Sequence, residues 1–178
     1  MITGTTFFRA PWSASLKLLT MFSVAVLAGV AILFATVFPR HLLGGVPFTL
    51  TMLIVLTTLL GSTLFMVRGY EVESGSLLIR RLLWSTALPL SELQEAWSNP
   101  AAMAQSLRLF GNGGLFVFAG LFWNRKLGKY RAFATLPRNS VVLKFPRRAV
   151  VVTPENPGQF LQAVAFSCPH ASIRRSAA

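Results

Sequence analysis

Seven basic side chains near two turn-like stretches are the residues best suited to chemistry in this sequence, and that chemistry is the binding of anions. One group surrounds Gly128 and the other precedes Ala149; the seven are Arg125, Lys126, Lys129, Arg131, Lys144, Arg147 and Arg148. We call them the basic patch, because we expect them to lie together if both turns reach the same end of the fold. Lys and Arg side chains near an anionic membrane each contribute about 1 kcal/mol of attraction, and acidic protein surfaces attract them too.

Side chains for acid-base, nucleophilic or metal chemistry are scarce. The chain has no aspartate, five acidic residues in all, two histidines and one cysteine. His41 lies between two apolar runs and His170 near the C-terminus, so we expect neither to serve Cys168 as a base. The glutamates are more simply explained as solvated surface carboxylates than as catalytic pairs. We therefore expect no enzymatic activity, no cofactor and no metal.

The glycine-rich stretch 111–114 is the one segment that resembles a phosphate-binding loop. It lacks the Gly-x-Gly-x-x-Gly spacing and the Gly-Lys-Ser/Thr ending that place phosphate at a helix N-terminus. Apolar, strand-like sequence follows it instead of a helix. We interpret it as a turn.

Short apolar stretches separated by turn residues follow residue 67, a pattern typical of an all-β barrel or sandwich. We predict strands over residues 68–73, 76–82, 84–89, 115–123, 130–136, 141–145 and 149–153. Residues 91–97 fit either a short helix or a further strand. Asn156 and Pro157 favour a helix start, and Pro169 follows the end of that helix. Residues 168–178 are expected to be a flexible tail.

The predicted strand 115–123 is apolar on both faces. Such a strand is either buried on both sides or presents its second face to the bilayer, to another subunit or to the terminal helix. Alternation of apolar and polar residues does not distinguish these interpretations.

Two long uncharged apolar runs, residues 18–38 and 46–67, precede the predicted strands. At about 1.5 Å of rise per helical residue, each is long enough to cross a hydrocarbon core about 30 Å thick. We predict two transmembrane helices joined by the short linker 39–45. A cleaved signal peptide is the competing interpretation of the first run, but that run exceeds the usual apolar region and no Ala-x-Ala site follows it.

Basic residues flank the pair of apolar runs on the side of the chain termini. They are Arg9, Lys17, Arg68, Arg80 and Arg81, against one basic residue in the linker. Such asymmetry places the termini in the cytoplasm, so we expect an integral inner-membrane protein with both termini cytoplasmic. The predicted domains are 1–67 (N-terminal tail and two spans), 68–167 (a cytoplasmic domain) and the tail 168–178.

The formal net charge of +12 implies an anionic partner. The bilayer is the expected partner, and nucleic acid is not expected, because no helix-turn-helix, zinc-ligand or RNA-binding aromatic motif accompanies the basic residues. The single cysteine excludes an intramolecular disulfide and fits a reducing compartment.

Several stretches in a fixed order give the chain a family resemblance over roughly residues 68–167. They are YEVESGSLLIRR (70–81), LPLSEL (88–93), FGNGG (110–114), Gly120, LGKY (127–130), Ala134-Thr135, VVTPENP (151–157) and Phe160. In this combination the chain resembles the bacterial PH-like (pleckstrin-homology-like) domain of small membrane proteins. The resemblance implies an all-β PH-like barrel capped by one C-terminal α-helix, here after a membrane α-helical hairpin.

The resemblance implies a fold and a membrane setting, but not a reaction. The phosphoinositide site of eukaryotic PH domains needs a basic loop between the first two strands, whereas this chain has Glu73, Ser74 and Gly75 there with Glu71 nearby, and carboxylates repel phosphate. We expect a non-enzymatic, membrane-anchored interaction or regulatory module that uses the basic patch to contact anionic lipid, a protein or a peptide. A groove between a strand edge and the terminal helix would suit a peptide. The alternative is a homo-oligomerising scaffold or accessory subunit of a membrane complex.

Overall fold

The computed structural model describes residues 6–37, 46–73 and 75–174, and within these ranges the chain forms three α-helices and eleven β-strands. The helices are α1 (Ala14–Val37), α2 (Val46–Leu64) and α3 (Pro157–Ser167). The strands are β1 (Thr6–Arg9), β2 (Val67–Glu73), β3 (Ser76–Arg81), β4 (Ser85–Pro89), β5 (Glu95–Ser98), β6 (Leu107–Gly113), β7 (Phe118–Asn124), β8 (Gly128–Ala134), β9 (Val141–Lys144), β10 (Ala149–Val152) and β11 (Ser172–Arg174).

The strands form two separate sheets. In the first, β1, β2, β3 and β4 are neighbours in that order and every pair is antiparallel. In the second, the order is β11-β5-β9-β10-β8-β7-β6, with β10 parallel to β8 and β11 parallel to β5. The predicted barrel is corrected here: the chain leaves β4 through the 3₁₀ helix Leu90–Glu92 and enters the second sheet as β5, so β4 and β5 do not pair and the barrel is not closed.

The largest hydrophobic cluster joins both sheets to α3. Phe160, Leu161 and Val164 recur at helical spacing, and all three are buried on the face of α3 that contacts β2 and β5. The ring of Phe160 packs edge-on against Phe8 of β1, with 5.3 Å between centroids, and against Tyr70 of β2, with 6.3 Å. The predicted C-terminal helix is confirmed, and it covers the core beside the first two strands.

The hydroxyl of Tyr70 connects the two sheets inside the core. Tyr70 is fully buried on β2, and its Oη donates to the carbonyl of Phe133 on β8 and accepts from the backbone N–H of Thr153 at 3.1 Å. Thr153 Oγ1 in turn accepts from the backbone N–H of Thr135 at 2.9 Å. Because buried polar groups are costly to leave unpaired, this network fixes how the first sheet sits on the second.

The two helices α1 and α2 are inserted between two adjacent strands of one sheet. β1 precedes α1, β2 follows α2, and the two strands pair antiparallel from Thr6↔Val72 to Arg9↔Gly69. The chain that leaves the sheet after Arg9 therefore returns to the same place at Val67. The helices also contact each other.

The first turns of α1 are held against the second sheet. Ser13 caps the helix, since its Oγ accepts from the N–H of Leu16 at 3.0 Å. Leu16 is buried, and the hydroxyl of Thr20 donates to the carbonyl of Gly114 at 3.2 Å and accepts from the N–H of Phe116 at 3.1 Å. The start of α1 is thus part of the packed domain, and the helix projects from it.

All seven predicted strands are present, with ends within three residues of the expected ones; they are β2, β3, β4, β7, β8, β9 and β10. Three strands, β1, β6 and β11, are missing from the sequence prediction, and β5 falls in the stretch left open between helix and strand. The stretch 91–97, for which the sequence allowed a short helix or a strand, contains parts of both: it begins in the 3₁₀ helix Leu90–Glu92 and ends in β5. Residues 111–113, expected in a turn, end β6, and the turn follows them.

The predicted flexible tail from Cys168 onward differs from the structure up to residue 174. Cys168 is buried, and β11 pairs in parallel with β5, with Ile173 opposite Ala96. Arg174 also forms an ion pair with Glu95 at 3.1 Å. The apolar Ile173 and the backbone pairing explain why this segment is ordered despite its polar composition.

Of the two predicted membrane spans, only the first is matched by a helix of sufficient length among the described residues. The segment Ala14–Thr36 of α1 is long and apolar enough to cross a bilayer, and in α2 the stretch Thr49–Leu64 is a shorter apolar helix. The second predicted span also ends too late, because Val67 already belongs to β2. The predicted linker 39–45, with His41, lies outside the described residues.

We expect Tyr70→Phe to lower the free energy of unfolding by about 1–3 kcal/mol, because the N–H of Thr153 and the carbonyl of Phe133 lose a buried partner. Thermal unfolding of the full chain in detergent measures this. Tyr130→Phe is the matched control: Tyr130 Oη donates to Ser106 Oγ at 2.6 Å, but Ser106 is only half-buried and also accepts from Asn124, so the loss should be smaller. Equal losses would contradict the role given to Tyr70.

Burial also raises the pKa of Tyr70 from 10.0 to about 12, although its hydrogen bonds with Thr153 oppose this. The folded state therefore holds this proton more tightly than the unfolded state. The corresponding stability is fully present below about pH 10 and is lost as the pH rises toward about 12.

Candidate functional site

The parallel pairing of β8 and β10 brings the two basic turns to the same end of the second sheet. Ala149 is opposite Tyr130 and Val150 is opposite Arg131, so the turn before β8 and the turn before β10 lie side by side. The sequence placed the seven basic residues on these two turns and on the strand ends beside them. Their proximity follows from one parallel strand pair that the sequence does not reveal.

Asn124 organises the turn between β7 and β8. Its Oδ1 accepts from the backbone N–H groups of Lys126 at 3.1 Å and Leu127 at 2.8 Å, and its Nδ2 donates to the carbonyl of Ala102 at 2.8 Å. The side chain is buried, so the turn is held from inside. Arg125 and Lys126 are therefore exposed at its tip.

The turn between β9 and β10 is closed by its own backbone. The N–H of Phe145 donates to the carbonyl of Arg148 at 3.0 Å, and the Phe145 side chain is buried. Arg147 and Arg148 are exposed on the far side of the turn, and Lys144 is exposed at the end of β9.

A cavity of about 880 Å³ lies between these turns and α2. Four residues of the basic patch line it, namely Lys129, Arg131, Arg147 and Arg148. The other three, Arg125, Lys126 and Lys144, are not among its lining residues. The structure thus divides the basic patch into a group facing the cavity and a group at the surface around it.

Two further cations line the cavity, Arg81 on β3 and Arg108 on β6. We did not assign either residue to the site from the sequence. In the sequence, Arg81 bears on membrane orientation and on the family resemblance, and Arg108 has no basic neighbour. The signal in the sequence is the short gap between the predicted strands 68–73 and 76–82, which favours their pairing. In the structure Arg81 pairs with Val67, three residues after the end of α2, at the junction of helix and sheet.

Arg81 is unusual because its side chain is only 9% exposed. Its guanidinium carbon lies 5.4 Å from the ring centroid of Phe65, 5.5 Å from that of Trp84 and 5.2 Å from that of Phe133. Such contacts contribute about 0.5–2 kcal/mol each when desolvated. Its Nε, however, is buried without a hydrogen-bond partner.

The charge of Arg81 is unfavourable in this setting. Burial lowers its pKa below the ordinary value, and the positive charge of Arg131 lowers it further. Arg131 lies over the ring of Phe133 as well, at 5.3 Å. Two guanidinium groups therefore share one aromatic ring, with no carboxylate between them among the described residues.

The carboxylates of the chain are placed elsewhere. Glu71 pairs with Arg80, and Glu95 pairs with Arg174. None of the five glutamates is among the residues lining the cavity, and the sequence has no aspartate. A second hollow, on the side of Arg9, Arg68 and Arg80, does include Glu155. Of these two hollows, the cavity beside α2 is lined by cations without an acidic side chain.

The remaining lining residues are mostly apolar or small, with Asn112 and Tyr130 as larger polar ones. Phe110 and Leu121 come from β6 and β7, and Thr57 and Gly61 come from α2. The hydroxyl of Thr57 donates to the carbonyl of Leu53 within its own helix, at 2.7 Å. The site therefore combines a cationic end with an apolar wall, an arrangement that fits an anion attached to an apolar group.

The described residues offer little for other chemistry. They contain no group of three His, Cys, Asp or Glu side chains that would hold a metal ion. The Cys168 thiol is buried, donates to the carbonyl of Leu90 at 3.4 Å, and has its pKa raised by burial, which disfavours the thiolate.

Two β-sheets followed by one C-terminal helix define a PH-like domain, and comparison with family models agrees. Residues 68–166 match the model of the bacterial PH domain, so the chain belongs to the bacterial PH domain family. This confirms the PH-like domain that the sequence resembles; strand β1 and the two helices α1 and α2 lie before the matched region. No curated protein and no solved structure matches the chain. Domains of this family are in general interaction modules without enzymatic activity.

We expect Gly120→Ala to destabilise the fold beside the cavity. Gly120 and Gly111 face each other across β7 and β6, and a Cβ at Gly120 would meet the carbonyl oxygen of Phe110 and the Cα of Gly111, the latter at 2.8 Å. Its φ of +147° also disfavours a side chain. The loss should exceed about 1 kcal/mol in thermal unfolding of the full chain.

Gly158→Ala is the matched control, because a Cβ at Gly158 meets nothing within 4 Å and its helical position favours alanine. Its effect should stay within about 0.5 kcal/mol. Equal effects of the two substitutions would show that the close approach of β6 and β7 does not constrain this wall.

Proposed function

We propose that this protein is a non-enzymatic, membrane-anchored interaction module whose PH-like domain lies against the anionic face of the membrane. The observation that carries the proposal is the insertion of α1 and α2 between the paired strands β1 and β2. A chain that leaves this sheet through a membrane-spanning helix must come back to it. In this proposal α2 (Val46–Leu64) is the return span.

The same pairing supports the proposed orientation. β1 and β2 are on one side of any bilayer that the helices cross, so the residues before α1 and the domain after α2 share a compartment. Basic residues near the helix ends favour the cytoplasm, as the sequence analysis argued. We therefore propose an inner-membrane protein with its domain and both termini cytoplasmic.

Apolar side chains surround the place where α2 meets the domain. The turn between β3 and β4 exposes Leu82, Leu83 and Trp84, and Leu83 is 73% exposed. Trp84 contacts Phe65, which follows α2, with the rings nearly perpendicular and their centroids 5.5 Å apart. Aromatic residues favour the membrane interface, so this turn is suited to lie in the headgroup region.

Anionic lipid is the partner that the geometry supports best. The basic turns face the same cavity as α2, so an anionic leaflet would lie within their reach. A peptide partner is less well supported at the groove proposed from the sequence, because β11 of this chain already pairs with β5 beside α3.

The second candidate function is a homo-oligomerising scaffold. β6 is an edge strand of the second sheet, and it exposes Leu107, Leu109 and Phe110, the last by 79%. Exposed apolar edge strands are prone to pair with another chain. Leu121 and Trp123 of the neighbouring β7 are also partly exposed. This exposure fits the interpretation in which the second face of strand 115–123 meets another subunit. A dimer in a mass measurement of the detergent-solubilised protein would favour this candidate.

Depth-dependent fluorescence quenching tests the proposed function. We expect a dye on Leu83→Cys, in the full chain reconstituted into anionic vesicles with Cys168 replaced by Ala, to be quenched strongly by nitroxide-labelled headgroups. The same dye on Ser91→Cys is the control. Ser91 lies in the 3₁₀ helix that contacts the β2–β3 turn, because the N–H of Leu90 donates to the carbonyl of Gly75 at 2.8 Å. The length of β2, roughly 20 Å at ~3.3 Å per residue, separates that turn from the end of α2. Ser91 should therefore be far from the membrane.

Equal quenching at both positions, or none at Leu83→Cys, would contradict the proposal. The first result would mean that the domain has no fixed orientation, and the second that the β3–β4 turn is remote from the bilayer.

A further inference from the structure

The inference starts from a buried charge that lacks a counter-ion. Arg81 is more than nine-tenths buried, makes no ion pair among the described residues, and has a buried Nε without a hydrogen-bond partner. Cation–π contacts stabilise the guanidinium but do not satisfy its N–H groups. Native proteins rarely leave such groups unsatisfied, so a buried unpaired arginine at a cavity indicates a missing anion.

The cavity beside Arg81 has the charge to hold that anion. Arg108, Lys129, Arg131, Arg147 and Arg148 also line it, and no acidic side chain does. Guanidinium groups suit phosphate oxygens, since their planar N–H donors bind two oxygens at once. Arg81 and Arg131 repel each other across this hollow, and a bound anion would offset that repulsion.

The other walls of the cavity suit an acyl chain. Phe110 and Leu121 provide apolar surface on the sheet side. On the helix side, Thr57 and Thr58 donate their hydroxyls to carbonyls of their own helix, at 2.7 Å each, and Gly61 lies between them and the end of α2. Two of the three hydroxyls that α2 brings to the cavity are thus satisfied within the helix, and Ser62 supplies the third.

We propose that this cavity binds one anionic phospholipid, with its phosphate at Arg81 and Arg131 and its acyl chains along α2 and Phe110. The inference rests on the proposed function, because the lipid enters from the bilayer beside α2. It goes further in assigning a discrete site, in adding Arg81 and Arg108, and in separating Lys129, Arg131, Arg147 and Arg148 from the rest of the basic patch. A volume of about 880 Å³ falls within the range of about 300–1,000 Å³ typical of small-ligand sites.

A phospholipid fits the site better than a soluble phosphate compound. A soluble anion would leave the walls formed by Phe110, Leu121 and α2 without a partner, although these walls face the same cavity as the cations. Both ligands share the phosphate chemistry at Arg81, so the test must distinguish them.

The test is thermal unfolding of the full, delipidated chain in detergent, with added phosphatidylglycerol, phosphatidylcholine or inorganic phosphate. We expect phosphatidylglycerol to raise the unfolding midpoint by about 3–6 °C at saturation, and the other two to raise it by less than about 1 °C. An equal rise with phosphatidylcholine, or with inorganic phosphate alone, would overturn the assignment to an anionic phospholipid.

Variants locate the site. Arg131→Gln combined with Arg148→Gln should abolish the rise with phosphatidylglycerol, and Arg81→Gln should do the same where that variant folds. Arg125→Gln combined with Lys144→Gln removes the same amount of charge from residues that do not line the cavity, and it should keep the full rise. Loss of the rise in both double variants would indicate diffuse attraction to net charge and would overturn the proposed site.

A second measurement uses the lipid acquired in cells. Lipid extracted from the purified wild-type chain should contain about one anionic phospholipid per protein, and the Arg131/Arg148 variant should retain several-fold less. Equal amounts in the two proteins would overturn the proposal. Failure of this site leaves the quenching of Leu83→Cys unchanged, so it is distinguishable from failure of the membrane-anchored arrangement.

Discussion

The pairing of β1 with β2 is the constraint on which the rest of the structure depends. These are the last strand before α1 and the first strand after α2, and their antiparallel register brings Arg9 opposite Gly69. The helices are therefore an insertion within a sheet, and the domain is not simply attached behind them. The start of α1 strengthens this arrangement, because the N–H of Ser13 donates to the carbonyl of Thr135 at 3.0 Å and the hydroxyl of Thr20 bonds to Gly114 and Phe116.

The candidate site follows from this constraint in two steps. Val67 pairs with Arg81, so the start of β2 near the end of α2 places a buried arginine beside the helix. The hydroxyl of Tyr70 then fixes the first sheet to β8 through Phe133, whose ring contacts both Arg81 and Arg131. The cavity, its cations and the end of α2 are thus positioned by contacts that belong to the core. A ligand bound there would contact the helical insertion and both sheets at once.

The sequence predicted those parts of the fold that depend on local pattern. Strands such as β9 and β10 are apolar and bounded by turn residues, and α3 has a clear start and an apolar face. β1 was missed because four residues ahead of a long apolar run carry little periodic signal. β6 was missed because its glycines indicate a turn, whereas they allow close approach to β7 at Gly120. The separation into two sheets depends on long-range pairing, which no local pattern encodes.

The candidate site was predicted only in part, for the same reason. Basic residues close in sequence were visible, but Arg81 and Arg108 join them only through the fold, and Arg125, Lys126 and Lys144 lie outside the cavity lining. The most direct test of the pairing of β1 with β2 is disulfide crosslinking in membranes between Phe7→Cys and Glu71→Cys, which are opposite each other, with Cys168 replaced by Ala. The positive control is the pair Glu71→Cys and Leu78→Cys, which are opposite each other on β2 and β3. The account predicts a crosslink within one chain for both pairs. A crosslink for the control pair alone would show that β1 does not join the sheet, and would contradict the account.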